Sequence, residues 1–522
     1  MPQKTKTGAD GPREVPNFIW AMFAVLVVFV YFFGLTIPFV GPDEPRYAQV
    51  AREMLQRADW ITPTLGGLNW FEKPVLLYWL EIVSFKTFGV SEFAARVGPA
   101  LFGLGTIASL WIIGRSATIH PQRTTNTYPN WLALIASTTL GILVFARGAS
   151  FDIIITFPIT AALAGFFIYD QARNRAFKSK YLPLIAFYTF TGVALLAKGL
   201  IGVLFPYGIV AVYYLISRRL PRHDFWISLV WGTAVSLAIA ALWYLPMYER
   251  HGYGFIDEFI IQQHFQRFVS NKYQHPQPIY FFLWVLPLMT LPWLPFFIAS
   301  IVKVVKSVAS GEKAAGGTEE NNGAATSSTS RLVYSSSLVR LALAWLLIPL
   351  IFFSFSGSKL PGYILPAVPA AVILASIYIY ELTERNKAWR IAVISTAAFI
   401  WIGTVVLLQT AVPTLVEEHS VKSLIAAANR HGYVSNRVLT LHTVSFNAEF
   451  YAAGRLLKDE KGKQQWLSGA NEVETVLKAD GGEPVLVLVP VQYVAQLTTD
   501  EKLRSQFLTD NGDLAILAVS IR

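Results

Sequence analysis

Asp43 and Glu44 stand between Pro42 and Pro45, just past a long apolar stretch, and a second charged pair, Glu72-Lys73, precedes Pro74. Further along, Asp152, Lys198, the group Glu258, His264 and Arg267 in a predicted loop DEFIIQQHFQRF, and Lys359 each fall at the end of an uncharged run. A carboxylate in such a place can orient an acceptor and take its proton, or balance positive charge developing at a reacting carbon. Lysine and arginine can stabilise a departing anion, arginine bidentately. Ionisable groups at membrane depth are costly, so each is a functional candidate. Each also has an ordinary reading. Lys198 or Lys359 alone can snorkel to an interface, Arg147 can pair with Asp152, and Arg46, Arg52 and Arg57 can meet lipid headgroups. His264 can be a satisfied interfacial histidine. Asp43 has no comparable packing role, since an acidic pair between prolines stiffens a loop without filling a core.

The elements that must bring these residues together are membrane helices. Of the 522 residues, 54% are hydrophobic and 15% charged, against about 45–50% and 25% in soluble domains. This balance excludes a water-soluble globular enzyme and intrinsic disorder. The absence of cysteine excludes disulfides, thiolate metal sites and cysteine nucleophiles. Uncharged stretches long enough to cross about 30 Å of hydrocarbon predict spans near 17–38, 95–114, 130–147, 152–170, 181–198, 199–217, 225–246, 279–302, 339–357, 361–380 and 391–412. With the N-terminus cytoplasmic, alternate loops collect Lys and Arg, among them Arg218, Arg219 and Arg222. The net charge of +10 therefore reads as membrane loops rather than as a nucleic-acid surface. Eleven crossings put the C-terminus outside.

The domain plan that follows is a cytoplasmic N-terminus (1–16), a membrane domain (17–412) and an external α/β domain (413–522). Within the membrane domain, the external loop 41–94 carries an amphipathic helix after Asp43 and a second interfacial helix after Pro74. Residues 307–337, rich in Gly, Ala, Ser and Thr, read as a flexible cytoplasmic linker. The tail alternates a helix near 418–430, the strand RVLTLH, a short helix, the strand PVLVLVP and a last strand AILAVS.

The strings GPDEPRYAQVAREML, FEKPVLLYWL, LLAKGLIG, HFQRF followed by QPIYFFLWVLPL, and SKLPGYILP occur in this order. The sequence resembles the aminoarabinose-transferase family of bacterial membrane glycosyltransferases, related to the protein O-mannosyltransferases, over about residues 17–412. The resemblance implies the multi-span GT-C-type fold of polyprenyl-phosphate-dependent sugar transferases, in the bacterial inner membrane, with the active site facing the periplasm. It implies a sugar donor on undecaprenyl phosphate and an acceptor such as lipid A or a protein, the sugar being 4-amino-4-deoxy-L-arabinose in the best-known branch. Carried over by position, Asp43 and Asp152 are the catalytic carboxylates. Lys73, Lys198, Arg267 and Tyr363 would be substrate-binding groups, Glu72 and His264 would share a Zn²⁺ or another divalent cation, and Glu44 and Lys359 join the substrate-binding candidates on charge and position alone. Membrane lipids are expected partners and nucleic acid is not. A polyprenyl-linked sugar transporter or flippase is the alternative, although no internal repeat is present and the candidates gather at external helix ends rather than at the bilayer midplane.

Overall fold

In lipid every backbone N–H and C=O must be satisfied within the chain, which turns long apolar stretches into helices. The computed structural model describes residues 15–39, 41–117, 127–172, 177–269, 277–311, 336–460 and 462–522. All eleven predicted spans carry helix, and seven helices among the described residues are long and apolar enough to cross a membrane alone. Two more, α1 (Asn17–Phe32) and α9 (Ile201–Ile216), are apolar but shorter, and the span predicted at 130–147 is two short helices, α5 (Tyr128–Thr138) and α6 (Leu140–Phe145). The stretch predicted at 279–302 is not one straight span. It is a pair of helices, Phe281–Met289 and Leu294–Gly311, bent by 118° at the break between them. Most of the predicted linker, 312–335, lies outside the described residues, and 307–311 continue the second helix of that pair.

The bundle is organised around α7 (Phe151–Gln171), whose most apolar window is 83% buried, whereas the helix Lys387–Gln409 is 17% buried and peripheral. Contacts sort the helix ends into two groups, as alternate crossing requires. At one end Lys303 pairs with Glu381 at 2.7 Å and Gln171 donates to the Ser337 hydroxyl. At the other end Asp152 meets Lys198, and the Gly357 N–H donates to the Phe268 carbonyl at 2.7 Å.

The segment after α1 is held firmly. The guanidinium of Arg147 donates to the carbonyls of Val30 and Phe33, satisfying acceptors that a helix C-terminus leaves open. Arg147 therefore does not pair with Asp152. The next helix, α2 (Asp43–Gln56), begins at Asp43 itself, so the Asp-Glu-Pro string is a first helical turn rather than a loop. Two carboxylates complement the positive end of the helix dipole there, and Pro45 is tolerated in a first turn. Within α2 and just beyond it, the arginines predicted to meet headgroups each also contact the protein. Arg52 donates to the Phe450 carbonyl at 2.7 Å, Arg57 donates to the Thr62 carbonyl at 2.6 Å, and Arg46 lies 5.6 Å from the Trp70 ring. A hairpin, β1 (Thr64–Leu65) with β2 (Leu68–Asn69), follows, pinned by Glu53, which accepts from Thr64, Gly66 and Gly67. The second interfacial helix is α3 (Leu76–Phe88), leading into α4 (Glu92–Ser116).

The C-terminal domain is a five-stranded sheet with α-helices, in the order β4-β3-β5-β7-β6. The predicted strands are β3 (Val438–Leu441), β5 (Val485–Pro490) and β7 (Leu514–Ile521). Its edge strands, β4 (Trp466–Leu467) and β6 (Leu503–Asp510), were not expected; β6 is a mostly exposed strand whose polar residues mask its pattern. The domain docks on the first external loop. Tyr451 donates to Glu92 at 2.8 Å and accepts from the Phe39 N–H at 2.9 Å, and Lys422 pairs with Glu92 at 2.6 Å.

Glu44 is the anchor of this arrangement. Arg96 of α4 grips it bidentately, at 2.9 and 2.8 Å, and the Ala149 N–H donates to it at 2.6 Å. With both oxygens so engaged, Glu44, expected to bind substrate, fastens α2 to α4 and to the turn before α7. Arg96 side-chain exposure is only 6%, and removing one partner of such a buried pair costs about 3–5 kcal/mol. Arg96→Met is therefore expected to lower the unfolding midpoint of detergent-purified protein clearly. An unchanged midpoint would refute the anchoring role.

Candidate active site

Beyond α7 the chain runs through α8 (Phe177–Lys198), a tight turn at Gly199, and α9. Next comes α10 (His223–Phe255), broken at Gly252. The charged segment after α10 was expected to be a loop, but it is a π-helix, Ile256–Gln266. Its i→i+5 bonding sets a repeat of four to five residues, which turns Phe259, Gln263, His264, Arg267 and Phe268 to one side. That side closes a cavity of about 350 Å³.

The cavity collects six of the predicted residues from distant segments: Glu72, Lys73, Lys198, His264, Arg267 and Tyr363. Leu200, Ile201, Leu204, Phe265, Phe352 and Phe353 supply an apolar wall. Lys198 is salt-bridged to Asp152, and its ammonium lies 4.9 Å from the Tyr363 ring centroid. Arg267 lies 6.0 Å from the same ring and donates to Gln263 at 3.2 Å. Two glycines permit these approaches. A Cβ on Gly362 would fall 1.9 Å from the Asp152 carboxylate, and one on Gly199, whose φ is +70°, would fall 2.2 Å from the His264 ring.

Asp152, expected to be catalytic, does not line the cavity; it holds Lys198 from behind. Asp43 is at the start of α2 with 57% of its side chain exposed, 3.9 Å from Arg46, and its charge is felt at Lys73. It stands outside the cavity, toward solvent. Lys359 does not reach the cavity. Its ammonium donates to the carbonyls of Gln277 and Ser356, at 3.0 and 2.6 Å, and it braces the turn that precedes Tyr363. Sequence reasoning passed over Tyr47. Its buried ring packs 4.9 Å from Phe151. Burial, reinforced by Asp43, Tyr78, Glu72 and Asp152, keeps its hydroxyl protonated far above the usual range. The available signal was its place four residues after Asp43, on the same helix face.

The expected metal pair does not fit the residues present. One ring nitrogen of His264, Nδ1, already faces the Phe259 carbonyl at 2.7 Å. Three cations share the cavity, and among the described residues no group of three or more His, Asp or Glu side chains is placed to hold an ion. Zinc sites need about four ligands.

A family model described as dolichyl-phosphate-mannose-protein mannosyltransferase matches residues 19–253. An undecaprenyl phosphate-alpha-4-amino-4-deoxy-L-arabinose arabinosyl transferase of Shewanella sediminis is 30% identical over 364 residues, 69% of this chain and 59% of that one. Its counterpart in Serratia proteamaculans is 28% identical, over 72% of this chain and 63% of that one. The crystal structure of ArnT from Cupriavidus metallidurans bound to undecaprenyl phosphate superposes with a TM-score of 0.71 at 21% identity. The match covers 97% of this chain and 98% of that one. The chain is similar to the ArnT-like membrane glycosyltransferases and, over residues 19–253, to the protein mannosyltransferases, and it shares the ArnT fold. The chain spans about three fifths of the length of the curated relatives it matches, while the ArnT fold extends over nearly all of it.

In this cavity Lys73 is the electrostatically poised group. Burial first, then the positive charges of Arg267 and Lys198, pull its ammonium from 10.5 down to about 8, while Glu72 and Asp43 hold it up. A phosphate entering the cavity would raise that value again, so above pH 8 binding must take up a proton. Affinity for an alkyl phosphate is expected to be level from pH 7.5 to 8 and to fall above it by up to about tenfold per pH unit, where the phosphate's own second ionisation, near 6, is complete. Lys73→Arg should flatten the fall. A level profile from pH 7.5 to 10 in the parent protein would show that Lys73 does not meet the anion.

Proposed function

We propose that this protein transfers a sugar from undecaprenyl phosphate to an acceptor at the external membrane surface. The observation that carries the reading is the convergence of Lys73, Lys198 and Arg267, from three remote parts of the chain, on one apolar-walled cavity. A polyprenyl phosphate needs that combination, an apolar surface for its chain and cations for its head. The relatives' names, which specify undecaprenyl phosphate-linked aminoarabinose, and the fold shared with an ArnT bound to undecaprenyl phosphate support the same donor.

In the proposed reaction an acceptor oxygen bonds to the anomeric carbon as the bond from that carbon to the phosphate oxygen breaks. The bonding pair leaves with undecaprenyl phosphate. Lys73, Lys198 and Arg267 stabilise the charge that grows on the phosphate. Asp152 fixes the Lys198 ammonium, and the protonated Tyr47 hydroxyl is a neutral donor beneath α2. Asp43, exposed at the mouth, faces the side from which an acceptor arrives. It takes the proton of a hydroxyl acceptor, or positions an acceptor that is already an anionic phosphate and has none to lose.

We infer that the acceptor is a periplasmic-face lipid such as lipid A, that the sugar is aminoarabinose or another pentose or hexose, and that the protein sits in a bacterial inner membrane with this cavity toward the periplasm. The transporter or flippase alternative has no support, because the ionisable cluster lies at one end of the helices.

Incubation of purified protein with defined undecaprenyl-phosphate sugars and candidate acceptors, read by mass spectrometry, tests the reading. Transfer is expected, and Asp43→Asn should reduce it by about 10²-fold or more with an unchanged unfolding midpoint, since the exposed side chain keeps its shape. Parental turnover in Asp43→Asn at saturating donor and acceptor would remove Asp43 from the reaction.

A further inference from the structure

A second large cavity lies at the opposite ends of α9 and α10. The donor cavity meets Leu200, Ile201 and Leu204 at the start of α9. The second, of about 590 Å³, is lined by Tyr207, Ala211 and Leu215 further along α9 and by Trp226 and Leu229 of the first turns of α10, with Arg218 and Arg219 between them. Its volume falls within the range of about 300–1,000 Å³ usual for ligand sites. Lipid-facing apolar residues are ordinary in a membrane bundle, and a concave groove closed at its polar end by arginines is not.

The arginines differ in what they do. Arg219 is engaged by the Asp170 carboxylate at 2.5 Å and the Tyr213 hydroxyl at 2.7 Å, and Arg222 by Asp224 at 3.0 Å. Arg218 is exposed, and among the described residues its guanidinium has no ion-pair or hydrogen-bond partner. Its φ is +49°, a conformation at the end of a helix where glycine is the usual residue. A cation suits a helix C-terminus in general, but that would be served equally by an arginine one turn earlier, in ordinary helical geometry. Basic pockets between membrane helices on the Lys/Arg-rich side are suited to anionic lipid headgroups.

We propose that this groove binds an anionic phospholipid, with its phosphate on Arg218 and an acyl chain along Leu215, Trp226 and Leu229. The charge at the rim selects the headgroup, and the apolar wall selects a lipid over a free anion. The site is separate from the donor cavity and does not depend on the transfer reaction.

Native mass spectrometry of the detergent-purified full chain, titrated with phosphatidylglycerol and with phosphatidylcholine of matched acyl chains, tests this. The parent protein is expected to bind phosphatidylglycerol about tenfold more tightly, the effect of one charge-assisted contact. Arg218→Gln should remove that preference. Ala211→Phe, which fills the groove and keeps the charge, should weaken both lipids. The unfolding midpoint should be parental in both variants, which verifies the fold. Equal affinity for the two lipids in the parent, or an intact preference in Arg218→Gln, would overturn the proposal. Displacement of phosphatidylglycerol by millimolar inorganic phosphate would overturn the lipid as the ligand.

Discussion

Like charges drawn out of water into one small space repel one another and lose hydration, and the cavity beside the π-helix holds three of them. Lys73, with its ammonium pulled down to about 8, records both effects. The neighbouring anions offset them only in part. Asp152 is committed to Lys198, and Glu72 lies beside Lys73 and partly sustains its charge. The residual positive potential is an affinity for phosphate held in reserve. Free amino-acid side chains would not stay in this arrangement, so the rest of the fold must impose it.

The imposition is visible in how few of the surrounding groups are idle. Glu44 and Arg96 lock the start of α2 to α4, Arg147 closes the end of α1, and Glu53 pins the hairpin that leads to Glu72. From the far side, Asp59 pairs with Arg250 at 2.8 Å and Thr62 meets His251 at 2.9 Å. These contacts tie the external loop to the end of α10, just ahead of the π-helix. The C-terminal domain completes the frame by seating Phe450 and Tyr451 against α2 and the exit of α1. It braces the loop that carries Asp43.

The helix bundle, the two interfacial helices and the α/β tail were legible in the sequence, because apolar length and Lys/Arg alternation report directly on a bilayer. The residues of the cavity were legible too, since charge is rare in such a chain and therefore conspicuous. Partnerships were not. Arg147 and Asp152 are neighbours in sequence, yet Arg147 serves α1 and Asp152 serves Lys198, a choice set by helix packing. Glu44 and Lys359 carried the same signal as true cavity residues, because an ionisable group that anchors backbone or helices looks identical in sequence to one that meets a ligand. The segment after α10 read as a loop because its charges hid a π-helix, whose period no 3.6-residue pattern detects. The mostly exposed strand β6 has no clean alternation for the same kind of reason.

The central claim is that the cavity's cations hold the donor phosphate, and donor affinity tests it most directly. Undecaprenyl phosphate binding to Lys198→Met and to Arg267→Met, each with a verified parental unfolding midpoint, should be weaker by about tenfold or more, the loss of one charge-assisted contact. Parental affinity in both variants would contradict the account.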